Sequence, residues 1–476
     1  MLLAPHTLAS PPLFMAADIR ALEQCATSAS HAPHLMEAAG IAVAALAGLL
    51  LNESGAPILI LVGPGNNGGD ALVAARVLRE QGFRIAVVSQ ADCGLLSPDA
   101  ARAWSGWRAQ GGTVMTEIPH PHAFSLVIDG LFGVGLQREV TGYAARWVRQ
   151  VNVFDCPRLA VDMPSGIGSD TGRIHGCALQ ADHTLTFLGL KPGLFTADGL
   201  DHAGNVHLET LGIQAQGTRM PSGVALTQLT ARHRLPKRAQ NSHKGLFGHV
   251  GIIGGQHGMA GACLIAGRAA LRHGAGSVTL GTLDERIVVD YAAPRLMFAP
   301  PETLVTRDMQ VLAIGPGLGA DARAEALLAT ALSAPRPLVL DADALNLIAG
   351  DRALAQQTRA RLHPTVLTPH PGEAARLLGV TTAEVQANRI EAAHALSEKY
   401  HAEIALKGAG TVIGHRDGHY AINTSGGPWL AQAGSGDRLT GIVAALLGQG
   451  MATGPALEAS VWLHGRPEEG SHPQDD

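Results

Sequence analysis

Short apolar runs, each followed by a glycine- or aspartate-rich segment, recur along the first part of the chain. Ile58–Val62 is continuously apolar, as in a parallel strand that is covered on both faces. It predicts a strand, followed by a loop at 63–70, a helix to about Glu80 and a second strand at Ile85–Val88. Further strands are predicted at 126–128, 159–161 and 184–187. This alternation of strands and helices is typical of α/β folds.

The same alternation returns after a segment of different composition. Five Lys and Arg residues lie between 232 and 244, and we interpret residues 214–248 as a linker into a second domain. Beyond it, strands are predicted at 250–253, 311–314, 338–340, 366–368 and 404–406. A helix is predicted at 260–273, and Gly434-Ser435-Gly436 is expected to open another near Asp437.

The composition narrows the possible partners. Of 476 residues, 46% are hydrophobic and 16% charged, so a large core can form, and 35 basic against 40 acidic residues give a net charge of −5. Such a chain, without a basic block, is a poor partner for nucleic acid or an anionic membrane. Its five cysteines are scattered without a CxxC pair, which supports neither a disulfide framework nor a zinc site. We therefore expect a cytoplasmic protein with small-molecule substrates.

The loop GPGNNGGD at 63–70 matches G-x-G-x-x-G between a strand and a helix. Glycines let the backbone approach a phosphate, and a helix N-terminus favours an anion. The acidic residue that usually ends the second strand of a dinucleotide-binding unit is missing, because Ser89 and Gln90 stand there. The Asn-Asn-Gly-Gly-Asp core supplies oxygens that suit a cation or a polar ligand. A purely structural turn is the alternative.

Two aspartates end further strands of the first half. Asp129 is followed by GLFGVGLQRE and Asp162 by MPSG. Ligands of open α/β sheets bind outside the carboxyl ends of the strands, so these carboxylates are expected to converge with Asp70. Either aspartate alone could instead cap a helix.

The second half carries its own loops after strands: GPGLG at 315–319, DADALN at 341–346 and HPGE at 370–373. A further loop, KGAGT at 407–411, lies between two predicted strands. Gly434-Ser435-Gly436-Asp437 combines an anion nest of helix N-terminal amides with a carboxylate that can act as a base. The P-loop pattern is absent from the sequence, which excludes that route to ATP. A glycine nest followed by Asp resembles the phosphoryl-transfer site of ribokinase-like enzymes.

Together these motifs resemble those of the bifunctional NAD(P)H-hydrate repair enzymes, from Leu35-Met36-Glu37 to Leu463-His464-Gly465. The resemblance implies an α/β protein of two three-layer αβα domains. A Rossmann-like hydrate epimerase would occupy residues 1–220, and a ribokinase-like ADP-dependent dehydratase, short at its C-terminus, residues 225–476. The epimerase would interconvert the R and S hydrates of NADH or NADPH. The dehydratase would convert the S form to NAD(P)H at the expense of ADP, giving AMP and phosphate.

In the epimerase half, the resemblance implies that Asp162 is the acid/base and that potassium is held by Asn67, Asp129 and Ser165. The hydrate would also contact Asp162 and two loops: Asn66, Asn67, Gly68, Gly69 and Asp70; Gly133, Val134, Gly135, Leu136, Gln137, Arg138 and Glu139.

In the dehydratase half, the resemblance implies that Asp437 is the base that frees the hydrate hydroxyl to attack ADP. The hydrate would contact Ala262, Gly317, His370 and Asp437, and the nucleotide Lys407, Gly408, Ala409, Gly410, Thr411 and Gly436. Magnesium is expected with ADP, since adjacent phosphates need charge neutralisation. We also expect a homo-oligomer.

Five positions of the second half depart from the family pattern: Arg295, Gly427, Gln432, Ala433 and Arg438. An arginine beside Asp437 is expected to favour its charged form and so lower its pKa. Two alternatives stay open. A ribokinase-like small-molecule kinase shares the nest but does not explain the fused Asn-Asn-Gly-Gly-Asp domain. A nucleotide-binding scaffold with a degraded dehydratase half would bind without turnover.

Overall fold

The computed structural model describes residues 9–27, 34–51, 55–120, 123–213 and 223–467. The chain forms two compact units, Met1–Gly223 and Val224–Asp476. Within the described ranges, every helix is too short or too polar to cross a lipid bilayer.

The first unit is built on a parallel sheet of six strands in the order β3-β2-β4-β5-β6-β7. The six strands are β2 Ile58–Val62, β3 Ile85–Val88, β4 Leu126–Gly130, β5 Arg158–Val161, β6 His183–Phe187 and β7 Asn205–Glu209. A two-residue strand, β1 Pro12–Leu13, precedes them in the chain. Its helices are α1 Ala16–Thr27, α2 Leu35–Leu50, α3 Asn66–Glu80, α4 Pro98–Ala109, α5 Gly142–Val151 and α6 Gly199–His202.

Alternation along β2 divides the core of this unit between the two faces of the sheet. Ile58 and Ile60 pack into one cluster with α2 and α3, whereas Leu59 and Leu61 pack into another with α5. All five residues of β2 are buried, as expected for a strand with helices on both faces. The unit is therefore a three-layer αβα sandwich.

The second unit contains a ten-stranded mixed sheet in the order β8-β17-β16-β15-β14-β13-β12-β9-β10-β11. Its strands are β8 Gly223–Leu226, β9 His249–Gly254, β10 Ser277–Thr282, β11 Met297–Phe298, β12 Val311–Ile314, β13 Leu338–Leu340, β14 Thr365–Leu367, β15 Glu403–Leu406, β16 Val412–Gly414 and β17 Tyr420–Asn423. The central strands are parallel, and β15, β16 and β17 pair antiparallel.

Helices cover both faces of this second sheet. They are α7 Gln228–Arg234, α8 Ala260–Arg272, α9 Pro301–Thr306, α10 Ala322–Ser333, α11 Asp343–Gly350, α12 Arg352–Arg359, α13 Pro371–Leu378, α14 Thr382–Ala387, α15 Arg389–Tyr400, α16 Ser435–Gly448 and α17 Thr453–His464. Helices α8, α16 and α17 share one core cluster with β9 and β12. Other helices cover the opposite side of the sheet: α9 packs on β9 and β10, α10 on β12, and α15 on β15 and β16.

Two expectations about local structure need correction. Residues 66–70 were expected in a loop, but α3 begins at Asn66, so the Asn-Asn-Gly-Gly-Asp core forms its first turn. The expected linker is wrong over 223–248, which contains β8, α7 and a 3-10 turn, while residues 214–222 lie outside the described ranges. Two of its basic side chains are held by the second unit: Arg234 pairs with Glu458 at 3.0 Å, and Arg238 donates to the carbonyl of Gly274 at 2.7 Å.

Candidate active sites in the two units

Asp129 and Ser165 form a buried polar pair at the carboxyl ends of β4 and β5. Asp129 accepts from the Ser165 hydroxyl at 2.7 Å and from the Ser165 N–H at 2.8 Å, and Leu131 N–H donates at 3.2 Å. Burial raises the pKa of Asp129 to about 6, although these hydrogen bonds oppose the shift. The structure thus brings together two of the three residues predicted to hold potassium.

Asn67, the third predicted ligand, lies in the first turn of α3 beside the glycines that follow Asp129. A Cβ added at Gly130 would lie 3.0 Å from the Asn67 carbonyl, and one at Gly133 would lie 2.9 Å from its Oδ1. The Asn67 Nδ2 is buried and has no hydrogen-bond partner among the described residues. If the side-chain amide is flipped, so that its oxygen and nitrogen change places, the oxygen of Asn67 takes this buried position and can bind a cation. The carboxylate, hydroxyl and amide oxygens of this set fit a hard monovalent cation.

Asp162 sits directly after β5 in a left-handed conformation, with φ of 65°. Its Oδ1 lies 2.5 Å from the Nζ of Lys191, a side chain with no exposed surface, and its Oδ2 accepts from the N–H of Val134 at 3.2 Å. Lys191 also donates to the Thr186 hydroxyl and the Phe187 carbonyl, each at 2.8 Å. The ion pair holds the Asp162 carboxylate against the loop after β4. Lys191 was not predicted, and its only signal in the sequence is a Lys-Pro-Gly turn after a strand.

Two further carboxylates face Asp162. Desolvation and the charges of Asp162 and Glu23 raise the pKa of Asp70 well above its ordinary value. Desolvation and Asp162 likewise raise the pKa of Glu23, against the opposing charge of Lys191. Carboxyl groups whose pKa values are raised beside an ion pair are candidates for proton transfer. Glu23 on α1 was not predicted, because a lone glutamate in an amphipathic helix carries no local signal.

Of the other residues predicted for this site, some contact neighbouring groups and others are exposed. Asn66 Oδ1 accepts from Ser97 Oγ at 2.6 Å at the helix entrance, and Gly68 packs its Cα against the Gly63 carbonyl. Gly133 and Val134 lie against Asp162, as expected. The outer part of that loop (Gly135, Gln137, Arg138 and Glu139) is exposed.

In the second unit, Asp437 lies in the first turn of α16 behind Gly434, whose φ is 85°. Gly436 sits beside the loop at 407–411, because a Cβ there would lie 3.1 Å from the Lys407 Nζ. The first N–H groups of a helix have no intrahelical acceptor, so the start of α16 offers donors to an anion. The structure therefore brings together the predicted nest, the predicted base and the predicted Lys407.

Asp341, at the end of β13, connects these parts. It accepts from Lys407 Nζ at 2.8 Å and from the Thr440 hydroxyl at 2.7 Å, and it is 1% exposed. Burial and the Asp341 charge raise the pKa of Asp437 to about 6, while Lys407 opposes the shift. The role of Thr440 was not predicted, since a threonine within a helix carries no motif.

The expected effect of Arg438 on Asp437 is wrong. Arg438 turns its guanidinium away along the helix and donates to the carbonyl of Arg466 at 3.2 Å. The pKa of Asp437 is raised, not lowered, because burial and Asp341 dominate its surroundings. An arginine next in sequence is therefore not next in space to the carboxylate.

The loop predicted to contact the nucleotide, residues 407–411, joins β15 to β16 and is called the nucleotide loop. Gly408 has a φ of 141° and Gly410 a φ of 59°. The buried guanidinium of Arg389 lies under it: a Cβ at Gly408 would lie 2.6 Å from its Nη1, and its Nη2 donates to the Leu406 carbonyl at 3.1 Å. Neither glycine therefore tolerates a side chain easily. Arg389 was not predicted as a support of this loop.

Three other predicted contacts frame the same end of the sheet. Ala262 and Gly317 are neighbours, since a Cβ at Gly317 would lie 3.4 Å from the Ala262 Cβ. His370 caps α13 by accepting from the Gly372 N–H at 3.0 Å, and burial and the charge of Lys407 lower its pKa. Glu373, which that cap positions, lies 3.9 Å from Lys407.

The fold and these sites define a two-domain α/β enzyme whose second unit is built to act on phosphates. Residues 32–193 match the family described as YjeF-related protein N-terminus, and residues 250–470 match NAD(P)H-hydrate dehydratase. The chain is similar to two proteins named bifunctional NAD(P)H-hydrate repair enzyme. That of Escherichia coli (strain K12) is 38% identical over 86% of this chain and 79% of its own length. That of Moorella thermoacetica is 37% identical over 95% and 91%.

One solved structure is the ADP/ATP-dependent NAD(P)H-hydrate dehydratase from Bacillus subtilis, co-crystallized with ATP/Mg2+. It is 32% identical with a TM-score of 0.46, covering 51% of this chain and 87% of that chain. The chain belongs to the bifunctional NAD(P)H-hydrate repair enzymes, as the sequence motifs indicated.

Proposed function

We propose that the two units perform the two activities of the family, with the epimerase in residues 1–220 and the dehydratase in residues 225–476. The observation that carries the proposal is the arrangement around Asp437. A carboxylate with a pKa of about 6 lies in the first turn of a helix, beside a glycine that contacts Lys407. Family membership over both halves favours this function over a lone small-molecule kinase.

In the dehydratase, Asp437 takes the proton from the hydroxyl of the S hydrate as that oxygen attacks the terminal phosphorus of ADP. The phosphorus–oxygen bond to AMP breaks, and the N–H groups at the start of α16 and the Lys407 ammonium hold the charge on the transferred phosphate. The carbon–oxygen bond of the phosphorylated hydrate then breaks, and the adjacent ring carbon loses a proton. Phosphate leaves and the dihydronicotinamide ring is restored.

The nucleotide is proposed to lie along Lys407, Gly408, Ala409, Gly410, Thr411 and Gly436, and the hydrate near Ala262, Gly317 and His370. Magnesium bound with ADP would neutralise part of the phosphate charge. Such an ion needs only one or two protein carboxylates, because the phosphates supply other ligands.

In the epimerase, Asp162 is proposed to take the proton of the added hydroxyl and pass it to the ring nitrogen as the bond between that nitrogen and the hydroxyl-bearing carbon opens. The reverse transfer, as the bond re-forms on the other face, inverts the carbon. Lys191 supports this role by holding the carboxylate in one orientation. Potassium at Asn67, Asp129 and Ser165 would supply a fixed positive charge beside the substrate. The free thiols of all five cysteines support a reducing, cytoplasmic compartment. The homo-oligomer stays a prediction, which sedimentation would test.

The test is to incubate the purified chain with mixed epimers of NADH hydrate, ADP, magnesium and potassium. The return of the absorbance of reduced nicotinamide is followed. Complete recovery is expected, because the dehydratase accepts one epimer and the epimerase converts the other. The same substitution, aspartate to asparagine, is made once in each unit to test the two activities separately. Asp437→Asn should slow dehydration about 10²- to 10⁴-fold while epimer exchange continues, and Asp162→Asn should stop recovery at the usable epimer.

The same assay distinguishes the alternatives. Binding of ADP and hydrate without any recovery would favour a nucleotide-binding scaffold. Full dehydration by the Asp437→Asn variant would overturn the assignment of the base. Phosphorylation of the hydroxyl without loss of phosphate would favour a kinase.

A further inference from the structure

The last turn of α17 packs against the first turn of α16, where the proposed phosphate site begins. His464 Nε2 lies 2.8 Å from the carbonyl oxygen of Ser435 and 3.1 Å from its hydroxyl. A carbonyl oxygen only accepts, so the Nε2 must carry the proton. Burial and the charge of Arg438 lower the pKa of His464 to about 4, so the ring donates as a neutral imidazole.

The contact matters because of which peptide group it anchors. The carbonyl of Ser435 and the N–H of Gly436 belong to one planar peptide unit. Fixing the oxygen at one side of that plane fixes the direction of the N–H at the other. Gly436 has no side chain to restrain it, and a Cβ there would lie 3.1 Å from the Lys407 Nζ. His464 therefore restrains the N–H of a glycine that lies beside Lys407 in the nucleotide loop.

The turn that carries His464 is itself held in place. The Ser425 hydroxyl donates to the Trp462 carbonyl at 2.8 Å, and Asn423 Nδ2 donates to the Val461 carbonyl at 3.3 Å. Arg438 donates to the Arg466 carbonyl two residues beyond His464. The Gly465 N–H also donates to the Val461 and Trp462 carbonyls, each at 3.2 Å, so backbone and side-chain donors together restrain this turn. The position of the His464 imidazole is therefore restrained by the hydrogen bonds of its own turn.

We propose that His464 is a positioning residue of the dehydratase, which aims the Gly436 N–H at the transferred phosphate by holding the Ser435–Gly436 peptide. The inference rests on the proposed function of the second unit. Its effect lies on the phosphoryl-transfer step, because a donor aimed at developing charge acts most in the transition state. The hydrate contacts at Ala262 and Gly317 lie on other elements and are unaffected.

The test uses two substitutions in the full chain. His464→Phe keeps the ring shape and removes the donor, whereas His464→Gln keeps an N–H donor near the position of Nε2. We expect His464→Phe to lower kcat for dehydration of the S hydrate by about 10- to 100-fold, with the KM for hydrate within about twofold of the parent. His464→Gln should recover kcat to within about fivefold. The matched control is His394→Phe, at a partly buried histidine that packs edge-on against Tyr420, which should keep the parental kcat.

Thermal unfolding and epimer exchange are measured on the same preparations. A His464→Phe variant that keeps kcat within about twofold would overturn the proposal. If kcat falls equally in the Phe and Gln variants, with equal falls in thermal midpoint, His464 has a structural role only. A fall in kcat in the His394→Phe control would also overturn the proposal, because the effect would then not be specific to His464. A parent chain that never dehydrates the S hydrate with ADP would refute the proposed function, and this inference would fall with it.

Discussion

Replacing Lys191 by methionine tests whether the buried ion pair with Asp162 supports the epimerase. Lys191 has no exposed surface, and its Nζ donates to Asp162 at 2.5 Å and to two neutral oxygens at 2.8 Å. Methionine keeps the length and the apolar stem of the side chain but removes the charge and every donor. The carboxylate is then left largely buried beside Glu23 and Asp70 without its cation.

The structure sets the expected magnitude. Two unit charges at 2.5 Å attract by about 7 kcal/mol at an effective dielectric constant of about 20, and most of this offsets their desolvation. Removing one partner of a buried pair costs about 3–5 kcal/mol, because the other charge stays uncompensated. Asp162 keeps hydrogen bonds from the N–H groups of Val134 and Phe187. We therefore expect the free energy of unfolding of the first unit to fall by about 3 kcal/mol.

Urea unfolding measures the stability, with the transition of the second unit as an internal reference. Chromatography of the hydrates should show epimer exchange lost, while ADP-dependent dehydration of the S hydrate continues. Lys237→Met, the same change at an exposed lysine, should shift stability by less than about 0.5 kcal/mol.

A double variant separates the ion pair from the lysine itself. Asn at 162 needs no counter-charge, so Asp162→Asn should restore part of the stability lost in Lys191→Met, with a coupling energy of about 1–3 kcal/mol. The reasoning is refuted if Lys191→Met unfolds within about 1 kcal/mol of the parent and exchanges epimers at the parental rate.

Three further predictions concern the second unit. Since burial raises the pKa of Asp437 to about 6, its basic form is lost below that value, and a pH–rate profile should show kcat/KM for dehydration falling about tenfold per pH unit. Thr440→Val removes a donor to Asp341 and should slow dehydration about tenfold in the coupled assay. Thr358→Val removes an equally buried hydroxyl and should leave that rate unchanged. Burial lowers the pKa of His415, but two glutamates outweigh it and raise the value to about 9. A group whose pKa is raised on folding stabilises the folded state at pH values below its unfolded pKa, which is about 6.5 for histidine. His415→Gln should therefore lower the free energy of unfolding in urea by about 3 kcal/mol at about pH 6, and by little above about pH 9.

The buried parallel strands were predictable because their side chains leave no ambiguity. Ile58–Val62 and Val311–Ile314 are apolar at every position, and the structure places strands there with these bounds. Strand β10, Ser277–Thr282, was not predicted, because Thr279 and Gly281 interrupt its apolar pattern although the strand is buried on both sides. The antiparallel strand β17 was not predicted either, whereas a strand directly after residues 407–411, where β16 lies, was expected.

The sites were predictable where they depend on loops after strands, and not where they depend on long-range contacts. Asp129 with Ser165, and Gly436 with Lys407, meet because parallel strands end at one edge of a sheet. Lys191 reaches Asp162 from 29 positions along the chain, and His464 reaches Ser435 from another 29. No spacing in a single sequence specifies such pairs. The roles of the predicted residues in catalysis stay predictions until the variants are measured.

Two departures from the family pattern, Gly427 and Arg438, are explained by contacts in the structure. A Cβ at Gly427 would lie 2.2 Å from the Trp429 ring, so an asparagine could not occupy that position with the tryptophan where it is. Arg438, which follows the base, binds the carbonyl of Arg466 in the turn that carries His464. The guanidinium of Arg438 is therefore engaged by the turn that carries His464, and the pKa of Asp437 stays raised although an arginine follows it in the sequence. Both departures are accommodated by the local packing of the second unit.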